Sequence, residues 1–170
     1  VGSTLRHSLA HVRSLRIMDS GDALILDNST IRHLQLLPYG DVQKGATLLG
    51  VLAGTKTPMG ARTNRNWISR PLARAADVNQ RLDAVGLYVK ERMLLTDLRR
   101  LLGGVRDLER LIQKVDSMRA NPRDLKALSL SLKPIPAIKS SCSLFPIASR
   151  LDAEDEIVEL IDRAIAEEPP

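Results

Sequence analysis

One cysteine, Cys142, is all the chain holds, which excludes an internal disulfide framework and a cysteine-rich zinc site. Such cysteine usage fits a reducing cytoplasm. Aromatic residues are scarce as well, at 2% of the sequence, with Trp67 the single tryptophan. Strand-rich folds draw more heavily on aromatic and β-branched residues, so a core here has to come from Leu, Ile, Val and Ala packed between helices. No apolar run approaches the roughly 18 residues that cross a bilayer, and no signal-peptide hydrophobic stretch opens the chain. Histidine supplies no metal cluster. His7 and His11 stand four apart without the Glu between them that a metallohydrolase helix uses, and His33 is isolated. The stretch from Gly50 to Thr57 contains Gly, Lys and Thr but lacks the Gly spacing and the Gly-Lys pair of a phosphate loop. Catalytic, cofactor-binding and metal sites are therefore all expected to be absent from this segment.

What is present is enough for one domain. The chain has 170 residues, 44% of them hydrophobic, and a net charge of +5. Positive charge of this size points either to a nucleic-acid partner or to an Arg-rich solvated surface on a helical array. Acids are interspersed with the arginines along much of the chain, which favours the second. So few aromatics leave little to stack on unpaired bases.

The stretch from Thr57 to Leu72 organises the rest. Thr57 is a helix cap, Pro58 suits the first helical position, and Pro71 biases Arg70 out of helix. Trp67 in the middle is expected to be a buried anchor. Upstream, Leu5, Leu9 and Val12 outline a short helix. Ser20-Gly21-Asp22 reads as a turn, Ala23 to Leu26 as an extended run, and Asp27 as the cap of a helix to about Leu34. Gly45 to Leu52 is expected to be a helix with Leu48, Leu49 and Leu52 inward, closed by Gly54. Downstream, Asp77 with Gln80 resembles a capping box. Val78, Leu82, Val85 and Val89 follow as a helical stripe. Leu94, Leu95, Leu98, Leu101 and Leu102 form another stripe, ending at Gly103-Gly104. A helix is expected from Val105 to about Met118, with Leu108, Leu111, Ile112 and Val115 on one face. Asn121-Pro122-Arg123-Asp124 is a strong helix start. Pro134 and Pro136 should bend the chain, with Lys139 to Ser149 irregular. A last helix opens at Asp152. The fold class is all-α: an irregular multi-helix array with at most one short strand.

Arg62, Arg65, Arg70, Arg74 and Arg81 are the best candidate for a functional surface. They would contact phosphates or an acidic partner, or else pair with acids of later helices. Asp107 and Glu109 are two apart and point in different directions on a helix. They suit ion pairing with Arg106, Arg110 or a neighbouring helix better than paired acid–base chemistry.

Several motifs together carry a family resemblance. They are Leu26-Asp27-Asn28-Ser29-Thr30-Ile31-Arg32-His33-Leu34-Gln35-Leu36, then Thr47-Leu48-Leu49, then Thr55-Lys56-Thr57-Pro58-Met59-Gly60-Ala61-Arg62 with Trp67-Ile68 and Pro71-Leu72. Arg81 to Val85, Asp107-Leu108-Glu109-Arg110-Leu111 and Ala120 to Leu125 continue the series in order. The series resembles the core, or lever, domain of the bacterial MutS mismatch-repair family. His33 and Gln35 stand where the family usually has Asn and Glu, and Thr63-Asn64 replaces a pair of leucines.

The resemblance implies a helical lever between a DNA-gripping end and an ATPase end. Val1 and Pro169-Pro170 are then expected to be cut ends of a longer chain, with 1–22 the end of a preceding segment and 23–170 the first part of the core, before the clamp. Structural or communication roles fall to Thr57, Met59, Gly60, Arg62, Trp67, Pro71, Leu72, Arg81, Leu82, Asp107, Leu108, Glu109 and Arg110. The parent would bind ATP and magnesium outside this segment and grip mismatched duplex DNA through other domains. It would form a homodimer, meet a MutL-type partner, and work in the cytoplasm, at the nucleoid during repair, with no membrane. The alternative is a free-standing basic helical nucleic-acid-binding module.

Overall fold

The computed structural model describes residues 23–40, 44–143 and 145–168. The expected helix from Ser3 to Val12, with His7 and His11, and the turn at Ser20 to Asp22 lie outside them. Among the described residues, nine α-helices run in chain order: α1 Asn28–His33, α2 Leu48–Val51, α3 Pro58–Ser69, α4 Ala75–Lys90, α5 Arg92–Gly103, α6 Leu108–Asp116, α7 Pro122–Leu132, α8 Ile135–Ser141 and α9 Asp155–Ala164. Short 3-10 turns occupy Lys44–Ala46 and Pro146–Arg150. The described residues contain no strand. Ala23 and Leu72 pair as an isolated antiparallel bridge.

Local chemistry explains most helix starts. Asp27 accepts from the Thr30 N–H, Thr47 from Gly50, Thr57 from Gly60 and Asp107 from Arg110. Asn121 and Asp124 form a reciprocal capping box ahead of α7. Several starts differ from the sequence expectation. Helix α4 begins at Ala75, because Asp77 lies in its first turn and its carboxylate is taken by Arg74 Nε at 2.7 Å. The last helix begins at Asp155 rather than Asp152, after Glu154 turns left-handed at φ 52°. The Val105-to-Met118 helix is shorter, since Val105 is a buried residue ahead of the Asp107 cap. The stretch expected to be irregular from Lys139 holds the end of α8 and a 3-10 turn. Gly45 to Leu52 is broken into a 3-10 turn and the single turn of α2, whose C-cap is Leu52, not Gly54.

Two apolar clusters make the core. Val105, Ile138, Cys142 and Ala148 form one, with Leu98, Leu101, Leu102 and Phe145 packed around it between α5 and α8. Leu111, Leu128 and Ile161 form the other between α6, α7 and α9. Leu108 packs against both. Apolar residues of other helices are exposed. Val78, Leu82, Val85 and Val89 of α4 run from 38% to 62% exposed, and Ile112, Leu48 and Leu52 are open too. Their 3.6-residue period is real, but no described element covers it.

Candidate functional site

The Thr-Pro-Met-Gly-Ala-Arg stretch builds the start of α3. Thr57 Oγ1 accepts the Gly60 N–H at 3.0 Å. A Cβ on Gly60 would stand 3.0 Å from that same hydroxyl, so glycine keeps room for the cap. Met59 points into the Val105–Ile138 cluster. One turn on, Arg62 reaches across to the entrance of α6. Its Nη1 and Nη2 donate to the two oxygens of Asp107 at 2.8 and 2.7 Å, and Nη2 also donates to Glu109. The two parallel bonds use the planar guanidinium fork. Asp107 is tied on its own helix as well, to the Arg110 N–H and, at 3.5 Å, to Arg110 Nε. The Arg62 hydrogen bonds hold the Asp107 carboxyl below its usual range, and Asp107 and Glu109 together raise Arg62.

Trp67 is not the buried anchor expected of it: the residue is 50% exposed, and the neighbouring Ile68 is the buried residue of α3. Arg81 of α4 covers the ring, with its guanidinium carbon 3.8 Å from the centroid. Leu72, flanked by Pro71, is half-buried beside Ala23, and Leu82 lies on the exposed stripe of α4.

The arginine series does not converge on one surface of free cations. Arg62 pairs with Asp107 and Glu109, Arg74 with Asp77, and Arg81 stacks on Trp67. Arg65 lines a small cleft with Arg32, which itself lies 4.2 Å over the Tyr39 ring. Arg70 is exposed at the end of α3. Arg99 donates to the Gly54 carbonyl at 2.9 Å. Asn64, one of the two polar residues in the place of leucines, donates to the Leu52 carbonyl at 3.2 Å and so ties α3 to the end of α2.

Other features gave no signal in the sequence. Asp162 of α9 accepts from Lys126 and Ser129 of α7 and pairs with Lys133 at 2.7 Å. Hydrogen bonds from Lys133, then Lys126 and Ser129, hold its carboxyl far below the ordinary value. Tyr88 stacks on Phe145 with centroids 5.0 Å apart, and its hydroxyl lies 3.6 Å from Cys142 Sγ. Burial, with that contact second, pushes the Tyr88 hydroxyl upward. Ser129 and Ser131 are wholly buried, and Ser131 Oγ accepts from the Arg106 N–H while donating to the Ala127 carbonyl. Residues 30 or more apart in sequence make several of these contacts, so no local pattern could announce them.

Arg62, Asn64, Lys126, Ser129 and Asp162 thus each join one element to another. Among the described residues, no three His, Cys, Asp or Glu side chains come together as a metal would require. No described helix is long and apolar enough to cross a membrane. The family model for MutS domain III matches residues 29–170, and the chain belongs to that family. It is 39% identical over 153 residues to the DNA mismatch repair protein MutS of Thermotoga sp. (strain RQ2), covering 90% of this chain and 19% of that protein. It is 41% identical to the protein of the same name from Symbiobacterium thermophilum, over 96% of this chain and 19% of that one. For Protochlamydia amoebophila the figures are 37%, 98% and 20%. The chain thus spans about a fifth of the length of these relatives. Arg62, Arg81 and Arg99 are taken up by carboxylates, a ring and a carbonyl.

Proposed function

We propose that this chain is the first part of the lever core of a DNA mismatch-repair recognition ATPase. On this reading 1–22 ends the preceding segment, 23–170 is core, and the segment transmits without catalysing. Mismatched duplex DNA, ATP with magnesium, the second protomer and a MutL-type partner engage other parts of the longer protein, in the cytoplasm and at the nucleoid. The mechanism is mechanical: nucleotide state and DNA state each bias one shared packing of stiff helices. The observation that supports this reading most is the match to MutS domain III across 29–170 in a chain one-fifth the length of its relatives. The exposed stripe of α4 agrees with it, since helices from the rest of the longer protein would cover that face.

The rival, a free-standing basic DNA-binding module, predicts tight duplex binding that falls steeply with salt. Titrating a labelled duplex with the 170-residue chain at two salt concentrations separates the two. The lever reading expects weak binding at both, because Arg62 and Arg74 are committed to acids. Tight binding with a steep salt slope would replace it with the rival.

A further inference from the structure

We infer that a second copy of this chain docks, through the acidic open face of its α9, into the cleft beside Trp67. The cleft, about 560 Å³ in volume, lies between the end of α2, the Gly60-to-Trp67 side of α3 and Arg99 of α5. Its apolar part is Leu52 and the half-exposed Trp67. Two cations accompany it. Arg99 donates to the Gly54 carbonyl at 2.9 Å, and Arg81 lies over the Trp67 ring. Among the described residues, no carboxylate lines the cleft, and neither Arg81 nor Arg99 has a carboxylate partner. Tryptophan and arginine are the residue types that carry most energy at protein interfaces. A guanidinium with unused N–H donors is matched best by a carboxylate.

The same chain supplies the complement. Residues 152–170 hold eight acids and one basic residue, Arg163, in a chain whose total charge is +5. Opposite charges therefore sit at separate places in one molecule. Helix α9 turns Ile161 and Asp162 toward α7. Leu160 is left 55% exposed, next to Glu159 and one turn after Glu156, with Ile157 open as well. Residues four apart share a helix face, so Glu156 and Leu160 present a carboxylate and an apolar side chain together. An apolar centre accompanied by carboxylates thus matches an apolar centre accompanied by guanidiniums. Since α9 packs on α7 in its own chain, the match is made between copies. Two different surfaces meet, so the contact extends head to tail and does not close as a two-fold pair. It is separate from the protomer pairing that the lever reading assigns to other parts of the longer protein, and it stands whether or not that reading does.

Sedimentation velocity on the 170-residue chain, with Trp67 emission recorded on the same samples, tests it. At low salt the average mass is expected to rise with protein concentration toward a dimer or beyond. It should return to the monomer near 1 M salt, where charges are screened within about 3 Å. Emission from Trp67, the single tryptophan, should shift in step with the mass. Arg99→Glu and Glu159→Arg are each expected to stay monomeric, and the chain carrying both changes is expected to associate again. A wild-type chain that stays monomeric at low salt overturns the proposal. So does association that survives both single changes or leaves Trp67 emission unmoved, since either puts the contact elsewhere. Loss in both single variants without recovery in the double variant overturns the pairing as well.

Discussion

Arg81 sits over the Trp67 ring, its guanidinium carbon 3.8 Å from the centroid, and this contact joins α4 to α3 across the Pro71 break. It replaces burial as the role of the lone tryptophan. Trp67→Ala is accordingly expected to cost about 1–2 kcal/mol, a half-exposed ring plus a cation–π contact, and not the roughly 3–5 kcal/mol of a core aromatic. Urea denaturation measures this, and Arg81→Ala should reproduce part of the loss. A loss of core size would restore Trp67 as the anchor.

The contrast between the two apolar patterns gives a second expectation. Leu128, buried in the α6–α7–α9 cluster, should cost about 2–5 kcal/mol on truncation to Ala. Leu82→Asn on the exposed α4 stripe should stay within about 0.5 kcal/mol of the parent chain. A similar loss at both positions in the 170-residue chain would show that α4 is covered after all.

These cases show what was legible. Caps were, because a cap is decided within four residues: Asp27, Thr57 and Asn121 each stand where their side chains bond the first turn. The Asp77–Gln80 pair misled because Arg74 takes the Asp77 carboxylate, a competition that composition alone does not rank. The α4 stripe was read correctly as a helix period, but period says nothing of whether a partner is present. The sequence marks Arg62, Asp107 and Glu109 individually, and their spacing points the acids toward ion pairing, including with a neighbouring helix. The sequence could not show that the partner would be Arg62, 45 residues away. The Asp162 hub left no trace, since its partners sit on another helix.

Gly60→Ala offers a third check. In an open helix the change would gain up to about 1 kcal/mol of propensity. Here the added Cβ meets the Thr57 hydroxyl, so no gain or a net loss is expected in thermal melts. Thr57→Ala should cost about 1 kcal/mol by removing the cap. A stabilised Gly60→Ala chain would mean that the hydroxyl has room to move.

Acid sensitivity follows from the depressed carboxyls. Asp107, Asp124 and Asp162 all lie below the ordinary Asp value, held there by Arg62, Lys114 and Lys133 first in each case. A folded value below the unfolded one stabilises the fold above about pH 4, and that contribution fades as pH falls toward the folded values. Urea midpoints should therefore drop on acidification below about pH 4, and less steeply in Asp162→Asn than in the parent chain. Equal slopes in the two would remove Asp162 from the account.

The lever reading itself is tested most directly in the full-length protein that carries this segment. Leu108 packs against both apolar clusters, so Leu108→Ala loosens their connection, at a position that the lever reading keeps apart from ATP and DNA. The measurement is ATP turnover with and without mismatched duplex, alongside duplex affinity. The expected result is near-normal basal turnover and affinity with a reduced response of turnover to the mismatch. A full response in a folded Leu108→Ala protein would contradict transmission through this packing.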